Sequence, residues 1–399
     1  MRIALALLLL SSALAAQGDT LVLRGARVFT GQGDFQKGLV VIVKDGKIAA
    51  IGRDIPVPQG AKEVDCKDKW ITPGFVDAMT ALGLTSMNEN EESNEVTPQV
   101  RAINAIDPEA QNFKRAVAGG VTTAYIMPGQ MNVFGGLGVV YKTAGKSRVV
   151  REDAGVRMTL GQMPGSGNRS FRGFGGSPTS IYYRRPNNRM GTIWEVRRAF
   201  YDAMDVRETN LGPQLEPTAA QRVLISALDR KMKVRTTARH GQDIRTALRL
   251  AEEFGIAVIL DDATEAYKTL DYVVAAGVPV VAGPPSVQAG FDGSTPHLDT
   301  LALLARAGVE VAISTAQRPD ALPLVREAGF AVRGGMDRAA ALAAVTSVPA
   351  KILGVDARVG SLDKGKDADI VLWSRHPLSP YSRAVRVWVD GVPVTKPSR

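Results

Sequence analysis

Near both ends of the chain, apolar residues alternate with polar ones or form short runs, and Asp-Gly pairs at 45–46 and 390–391 interrupt them. Alternation around two-residue turns of this kind is typical of antiparallel strands. The two terminal pieces, residues 17–69 and 352–399, are therefore predicted to be β-rich and to meet in one small composite β-sandwich.

Between residues 70 and 351 the pattern changes to short apolar runs that alternate with amphipathic segments. In the clearest of these, 243–254, apolar residues recur three or four positions apart, Asp243 can cap the start, and Gly255 follows the end. About eight strand–helix repeats of this kind predict βαβ units and a parallel sheet. The sequence thus predicts an α/β fold with a (β/α)₈ TIM barrel over 70–351.

The first residues carry the pattern of a targeting segment. A basic start is followed by the apolar run 3–10 and by an Ala-x-Ala signal at 13–15. This arrangement predicts a secretory signal peptide over 1–16, and hence a secreted, periplasmic or cell-envelope protein. An uncleaved anchor is the alternative, although the run is shorter than the roughly 20 residues that span a bilayer. No later stretch is long and apolar enough, so no transmembrane span is expected.

Composition and charge narrow the class of protein. The 399 residues are 45% hydrophobic and 22% charged, which excludes wholesale disorder and collagen-like repeats. A net charge of +9 predicts a surface that attracts polyanions. The single cysteine, Cys66, excludes an intrachain disulfide and a multi-cysteine zinc cluster. Of the three histidines, His297 precedes a predicted helix and His376 lies in the C-terminal β piece, so both are expected at the surface, whereas His240 lies in the barrel region.

A segment rich in Gly, Arg and aromatic residues, 165–191, lacks any apolar period. We predict that it is a long loop over the barrel mouth. The alternative is a polyanion-binding segment, because its arginines are interleaved with aromatic residues. These arginines are Arg169, Arg172, Arg184, Arg185 and Arg189. No nucleic-acid-binding fold accompanies the segment, so a specific nucleic acid partner is not expected.

The stretch WITPGFVDAMTALG at 70–83 resembles the first barrel strand of the amidohydrolase superfamily, where a His-x-His pair follows the strand. The segments RMTLGQMP, DIRTALRLAEEFGIAVILDDATEAY and PAKILGVDARVGSLDKGKDADIVLW are similar to its imidazolonepropionase-like branch. The resemblance spans nearly all of the chain after the signal peptide. It implies a barrel with a β-sandwich, and hydrolysis of C–N bonds in amides, cyclic amides or dipeptides. The family usually uses zinc or another divalent metal, which activates a bound water.

The resemblance also implies where ligands and the general base should lie, and most of those positions are substituted. The family-equivalent positions are Ala78 and Thr80 for the His-x-His pair, Thr237 and Asp262 for the strand-five and strand-six histidines, Ala316 for the strand-eight aspartate that takes the water proton, Gln162 for a glutamate, and Lys142 for a bridging carboxylated lysine. Alanine cannot bind a metal, and a neutral threonine hydroxyl is a poor zinc ligand. The residues present therefore predict no resident metal or other cofactor.

Three residues remain as candidates for a rebuilt site: Lys142, His240 and Asp262. His240 follows the predicted fifth strand near the barrel mouth, and the Asp261/Asp262 pair offers oxygen ligands for a hard cation. Neighbouring residues of a strand point to opposite faces, so at most one of these carboxylates is expected to face the barrel interior.

Three functions stay open. The first is a degenerate amidohydrolase that binds a small amide or peptide ligand, or a related active subunit, without turnover. The second is an active cyclic-amide or dipeptide hydrolase with a rebuilt metal site. The third is a polyanion- or envelope-binding protein that uses the loop 165–191, for which binding should depend steeply on salt. Metal content separates the first two, and a homo-oligomer is compatible with each.

Overall fold

The computed structural model describes residues 20–86, 88–91, 93–166, 185–209, 216–287, 292–316 and 323–395. The predicted signal peptide and most of the Gly- and Arg-rich loop at 165–191 lie outside the described residues.

The described residues form eighteen strands, which are numbered in chain order. These are β1 Leu21–Arg24, β2 Arg27–Val28, β3 Gln36–Lys37, β4 Val40–Lys44, β5 Lys47–Gly52, β6 Lys62–Asp65, β7 Trp70–Pro73, β8 Phe75–Thr80, β9 Val121–Ile126, β10 Phe134–Lys142, β11 Val149–Thr159, β12 Val234–Thr237, β13 Val258–Asp262, β14 Val280–Ala282, β15 Val311–Ile313, β16 Ile370–Trp373, β17 Ala384–Val389 and β18 Val392–Pro393. They assemble into three sheets, ordered β5-β4-β1-β6, β18-β17-β16-β7-β2-β3, and β8 to β15 in sequence.

Nine α-helices accompany these strands in the described part of the chain. They are α1 Gln111–Ala118, α2 Arg189–Glu208, α3 Ala219–Leu228, α4 Gly241–Phe254, α5 Leu270–Ala276, α6 Thr300–Arg306, α7 Leu324–Arg333, α8 Arg338–Ala343 and α9 Ser347–Leu353. Short 3-10 helices lie at Ala102–Ala105, Met163–Gly165 and Ala266–Lys268. Among the described helices, none has the length and apolar character needed to cross a membrane.

Strands from both ends of the chain share one sheet. β16 pairs antiparallel with β7, which brings Trp373 opposite Trp70. The inner face of this six-stranded sheet packs against the sheet β5-β4-β1-β6 through buried side chains that include Leu23, Val43 and Leu372. The result is a small β-sandwich beside the barrel.

The eight-stranded sheet forms the barrel, which confirms the predicted fold class. Its first and last strands, β8 and β15, come together where the barrel closes. There the backbone N–H of Thr315, just after β15, donates to the side-chain carboxylate of Asp77 on β8 (3.2 Å). One strand differs from the all-parallel expectation: β10 runs antiparallel to both β9 and β11. The connections on either side, 127–133 and 143–148, are shorter than the dozen or so residues that a parallel crossover requires. Short connections therefore force two successive hairpins at this point.

Helix α4 confirms the clearest helical pattern, but it begins two residues before the predicted start, with His240 as the N-cap residue. Asp243 consequently lies in the first turn, where it forms an ion pair with Arg189 (3.0 Å) instead of capping the helix. Gly255 ends α4 with a φ of 63°, in the left-handed region that glycine adopts without steric cost. Because α4 follows β12 so closely, its N-terminus lies at the barrel mouth.

Candidate functional site

The carboxyl ends of the parallel barrel strands bring three of the predicted positions together. Thr237 ends β12, Asp262 ends β13, and Ala316 follows β15. Gly283, which follows β14, lies between the last two: a Cβ atom at this glycine would stand 2.9 Å from Asp262 Oδ1 and 3.4 Å from Ala316 Cβ. The mouth of the barrel therefore carries these residues on neighbouring strands, as the resemblance implies.

The first barrel strand needs a correction to the positions assigned to the His-x-His pair. A family strand that reads PGFIDAHTHLG, aligned letter by letter with PGFVDAMTALG at 73–83, places the two histidines at Met79 and Ala81. These lie one residue beyond Ala78 and Thr80. The consequence for chemistry is unchanged, because none of these four residues offers a nitrogen, thiolate or carboxylate ligand for zinc.

Two buried arginines lie side by side beneath the mouth. Arg157 on β11 and Arg235 on β12 are register partners, and each is at most 1% exposed. Arg235 binds the Asp261 carboxylate with two nitrogens, Nη2 to Oδ1 at 2.6 Å and Nε to Oδ2 at 3.0 Å. Arg157 Nη2 donates to the hydroxyl of Thr237 (3.0 Å), the strand-five ligand position. A guanidinium therefore contacts the position where the resemblance implies a metal-binding histidine.

A third arginine engages the strand-six position. Arg239 forms an ion pair with Asp262 and also donates to Gln130. Asp262 has a φ of 65°, so the backbone leaves the extended region at the end of β13. The two neighbouring carboxylates therefore have different ion-pair partners, Arg235 for Asp261 and Arg239 for Asp262.

Burial and pairing set the charges of this cluster. Burial lowers the pKa of Arg157 to about 10, against the opposing effect of Asp261 and Asp262. Burial alone would also lower the pKa of Arg235, but the Asp261 carboxylate reverses this, and the pKa lies above its usual value. Both guanidinium groups consequently remain cations at neutral pH.

His240 lies beside this cluster at the start of α4, with about one fifth of its side chain exposed. Its Nε2 lies 3.2 Å from the Asp292 carbonyl and 3.5 Å from the Asp292 carboxylate, and its Nδ1 lies 3.8 Å from Glu265 Oε2. The Glu265 carboxylate already accepts from the backbone of Gly241 (3.0 Å) and from Lys268 (2.9 Å). The contacts of His240 are thus to these two acids rather than to Asp262.

The structure does not bring Lys142 to the mouth. Lys142 ends the antiparallel strand β10 and pairs with Thr123 near the start of β9, so it lies at the opposite end of the barrel. Its side chain is fully buried and forms ion pairs with Asp367 (2.8 Å), Asp369 (3.1 Å) and Asp390. These aspartates belong to the segment that leads into the sandwich and to one of its turns.

The remaining candidates are scattered. Gln162 is exposed at the N-cap of the short 3-10 helix Met163–Gly165. His297 is exposed, as expected, and stacks on Tyr267. His376 is not a plain surface residue: it is half-buried against Phe35 and Trp70, and burial lowers its pKa.

Of the arginines in the loop 165–191, the described residues include only Arg185 and Arg189. Arg185 lies 3.7 Å from the Glu195 carboxylate, and Arg189 pairs with Asp243 at 3.0 Å. Both of these arginines are paired with acids of the protein itself. The other arginines of the segment lie outside the described residues.

Sequence reasoning missed the buried arginines. The signal was present as a repeated pattern, Val-Arg-x-Thr, in β11 at Arg157 and in β12 at Arg235. An arginine in the middle of an otherwise apolar strand of a parallel sheet has nowhere to reach solvent on either face. Each such arginine requires a buried acceptor, and Asp261, Thr237 and backbone carbonyls supply these.

The residues at the mouth do not fit the divalent metal that the resemblance implies. Asp261 and Asp262 each form an ion pair with an arginine. The hydroxyl of Thr237 accepts a hydrogen bond from a third guanidinium, that of Arg157. Within the described ranges, no group of three or more His, Cys, Asp or Glu side chains converges as metal ligands would. A zinc site needs three or four such donors at about 2 Å.

Comparison with known proteins identifies the family. The model of the Amidohydrolase family matches residues 209–395. The chain is 25% identical to the imidazolonepropionase of Maricaulis maris, covering 86% of this chain and 88% of that protein. It is 27% identical to the amidohydrolase tasK of Hapsidospora irregularis over 88% of this chain, but it spans only 39% of that protein's length.

A solved structure extends the likeness to the whole fold. The crystal structure of an amidohydrolase from Thermotoga maritima MSB8 superposes with a TM-score of 0.84 and 32% sequence identity. The match covers 94% of this chain and all of the other chain. With that extent of identity over a complete barrel and sandwich, the chain belongs to the amidohydrolase family of hydrolases.

Proposed function

We propose that this chain is a degenerate amidohydrolase that binds a ligand at the barrel mouth without metal-dependent hydrolysis. The observation that carries the proposal is the pairing of both strand-six carboxylates with arginines, Asp261 with Arg235 and Asp262 with Arg239. The strand-eight position, Ala316, has no group that could take a proton from water.

Electrostatics supports this proposal. A divalent cation at the mouth would lie close to Arg157 and Arg235, whose guanidinium groups are buried and charged. Repulsion between such charges is strong in a low-dielectric interior. To bind Asp261 and Asp262, the cation would also have to displace their ion pairs with Arg235 and Arg239. Hydrogen bonds between charged groups of this kind are stronger than those between neutral groups.

Beneath the mouth, Arg235 carries a donor of the kind that binds a small amide or peptide ligand. Arg235 Nη1 is buried and has no hydrogen-bond acceptor among the described residues. A guanidinium N–H donates well to the carbonyl and carboxylate oxygens that such ligands carry. This ligand class agrees with the substrates that the family resemblance implies.

The proposal is tested by metal content and turnover. We expect elemental analysis of protein purified without chelators to find far less than one zinc, manganese or iron per chain. Incubation with each metal should bring no hydrolysis of amides, cyclic amides or dipeptides. Metal near one per chain, together with turnover, would show the rebuilt-site alternative to be correct.

The variant D262A provides the matched control for this measurement. If Asp262 and His240 held a metal, D262A would lose both the metal and the activity. In the proposed arrangement D262A removes the partner of Arg239, so metal content stays at its background value.

We propose in addition that residues 1–16 direct export. The basic start, the apolar run and the Ala-x-Ala signal support this. Fractionation of the producing cells and N-terminal sequencing should find the protein outside the cytoplasm with a mature start near Ala16 or Gln17. A cytoplasmic protein that retains Met1 would contradict the proposal.

A further inference from the structure

A groove of about 1000 Å³ lies between α4 and α5 and reaches the starts of the neighbouring barrel strands. It is lined by Lys233, just before β12, by Val258 at the start of β13, and by Pro279, just before β14. Residues of α4 and α5 line its sides. Thr237, His240 and Asp262 of the barrel mouth are not among the residues that line the groove, so inferences about it do not depend on the function proposed there.

Three arginines line this groove without a carboxylate partner in the part of the chain that the structure describes. They are Arg230, in the turn after α3, and Arg245 and Arg249, one turn apart on α4. Glu252 is the one acid in the lining. Glu253 acts on Arg249 only from beyond ion-pair distance, so the groove carries an excess of positive charge.

Nearby acids are already engaged with other partners. Glu253, next to the groove on α4, is held by Arg197 through two hydrogen bonds of 2.8 Å and by the hydroxyl of Tyr201 (3.1 Å). Asp229 lies between Lys231 (3.1 Å) and Arg207 (3.7 Å). These acids do not reach the arginines of the groove within ion-pair distance.

The rest of the lining is mainly apolar. Its apolar residues include Leu248 on α4, Ile256 and Val258 before and in β13, Ala276 on α5, and Val278 and Pro279 before β14. Tyr272 adds an aromatic ring that is 55% exposed, and the guanidinium of Arg245 lies 5.9 Å from its centroid. A purely inorganic anion would leave this apolar surface unused.

The geometry points to a binding site for a small amphiphilic anion, a molecule with one anionic head group and an apolar or aromatic body. The head group binds Arg245 and Arg249 through charge-assisted hydrogen bonds, and Arg230 adds positive charge to the same groove. The body covers the apolar lining and lies against Tyr272. The size of the groove is at the upper end for small-molecule sites, so the ligand is a drug-sized molecule rather than an ion.

The probe for the test is 8-anilinonaphthalene-1-sulfonate, which combines a sulfonate with an aromatic body. Titration followed by fluorescence and calorimetry should show saturable binding near one molecule per chain. In R245Q/R249Q we expect affinity to fall about tenfold or more, because two charged hydrogen-bond donors are lost. The matched control R115Q/R333Q makes the same charge change on exposed positions of α1 and α7, and should bind within about twofold of the wild type.

Other results would overturn the assignment. Equal affinity in the two double variants would place the probe elsewhere on the protein. Displacement of the probe by inorganic phosphate as effectively as by dodecyl sulfate would show an ion site without a role for the apolar lining. Co-sedimentation with phosphatidylglycerol vesicles that depends on Arg245 and Arg249, without saturable binding of the free probe, would indicate a membrane surface instead.

Discussion

Asp77 is an acid placed where the barrel closes. Its carboxylate accepts hydrogen bonds from the Thr315 backbone (3.2 Å), the Thr315 hydroxyl and the backbone of Met79 (3.4 Å). Burial nevertheless outweighs these bonds and raises the pKa of Asp77 to about 6. The carboxylate therefore links β8 to the residue after β15, but burial removes its contacts with water and disfavours its charged form.

The raised pKa predicts a pH dependence of stability. The folded state holds the Asp77 proton more tightly than the unfolded state, so this residue favours folding below about pH 4 and loses that contribution as pH rises through 6. Urea unfolding between pH 4 and 7.5 should show the wild type losing about 2 kcal/mol relative to D77N over this range. A difference between the two proteins that stays constant with pH would contradict the assignment.

The buried arginines show at the residue scale what the sequence alone leaves undecided. A family resemblance identifies which metal ligands are substituted, as at Thr237 and Ala316. It does not identify which side chains fill the region where the metal and its ligands would lie. Arg157 on β11 and Asp261 on β13 are far apart in sequence, and the sheet brings them together because both strands pair with β12. The repeated Val-Arg-x-Thr pattern marks the two arginines in the sequence, but which groups they contact is a tertiary property that the pattern does not contain.

At the scale of elements, local signals predicted most of the architecture. The turns at Asp45 and Asp390 adopt the left-handed backbone that Asp-Gly hairpins require, with φ of 51° and 49°. Helix α4 follows its apolar period to Gly255. Each signal lies within a few residues of the turn or helix end that it specifies. It therefore depends little on how the rest of the chain packs.

The antiparallel strand β10 is where this local reasoning was wrong. Its sequence, FGGLGVVYK, has the apolar character of the neighbouring strands. Direction depends instead on the length of the connections, 127–133 and 143–148, which leave no room for a helix. Connections of these lengths imply two hairpins, and two hairpins put Lys142 at the end of the barrel opposite the mouth.

At the scale of the whole molecule, Lys142 connects the barrel to the segment that enters the sandwich. Asp367 and Asp369 lie just before β16, and Asp390 lies in the turn after β17. Burial alone would lower the pKa of the Lys142 ammonium, but the three carboxylates reverse this and raise it. Asp369 is 227 residues away along the chain, a separation at which sequence pattern gives no information.

Removal of this single cation should destabilise the whole chain. In K142M the buried Asp369 and its neighbours lose their shared counter-charge, and we expect the free energy of unfolding to fall by about 3 kcal/mol. The control is K47M, which removes a half-exposed partner of Asp367 and should cost about 1 kcal/mol or less. Urea denaturation of both variants measures the difference. If Lys142 instead belonged to a rebuilt hydrolytic site, K142M would abolish metal-dependent turnover and leave stability close to that of K47M. The two roles therefore predict opposite results for the same pair of variants.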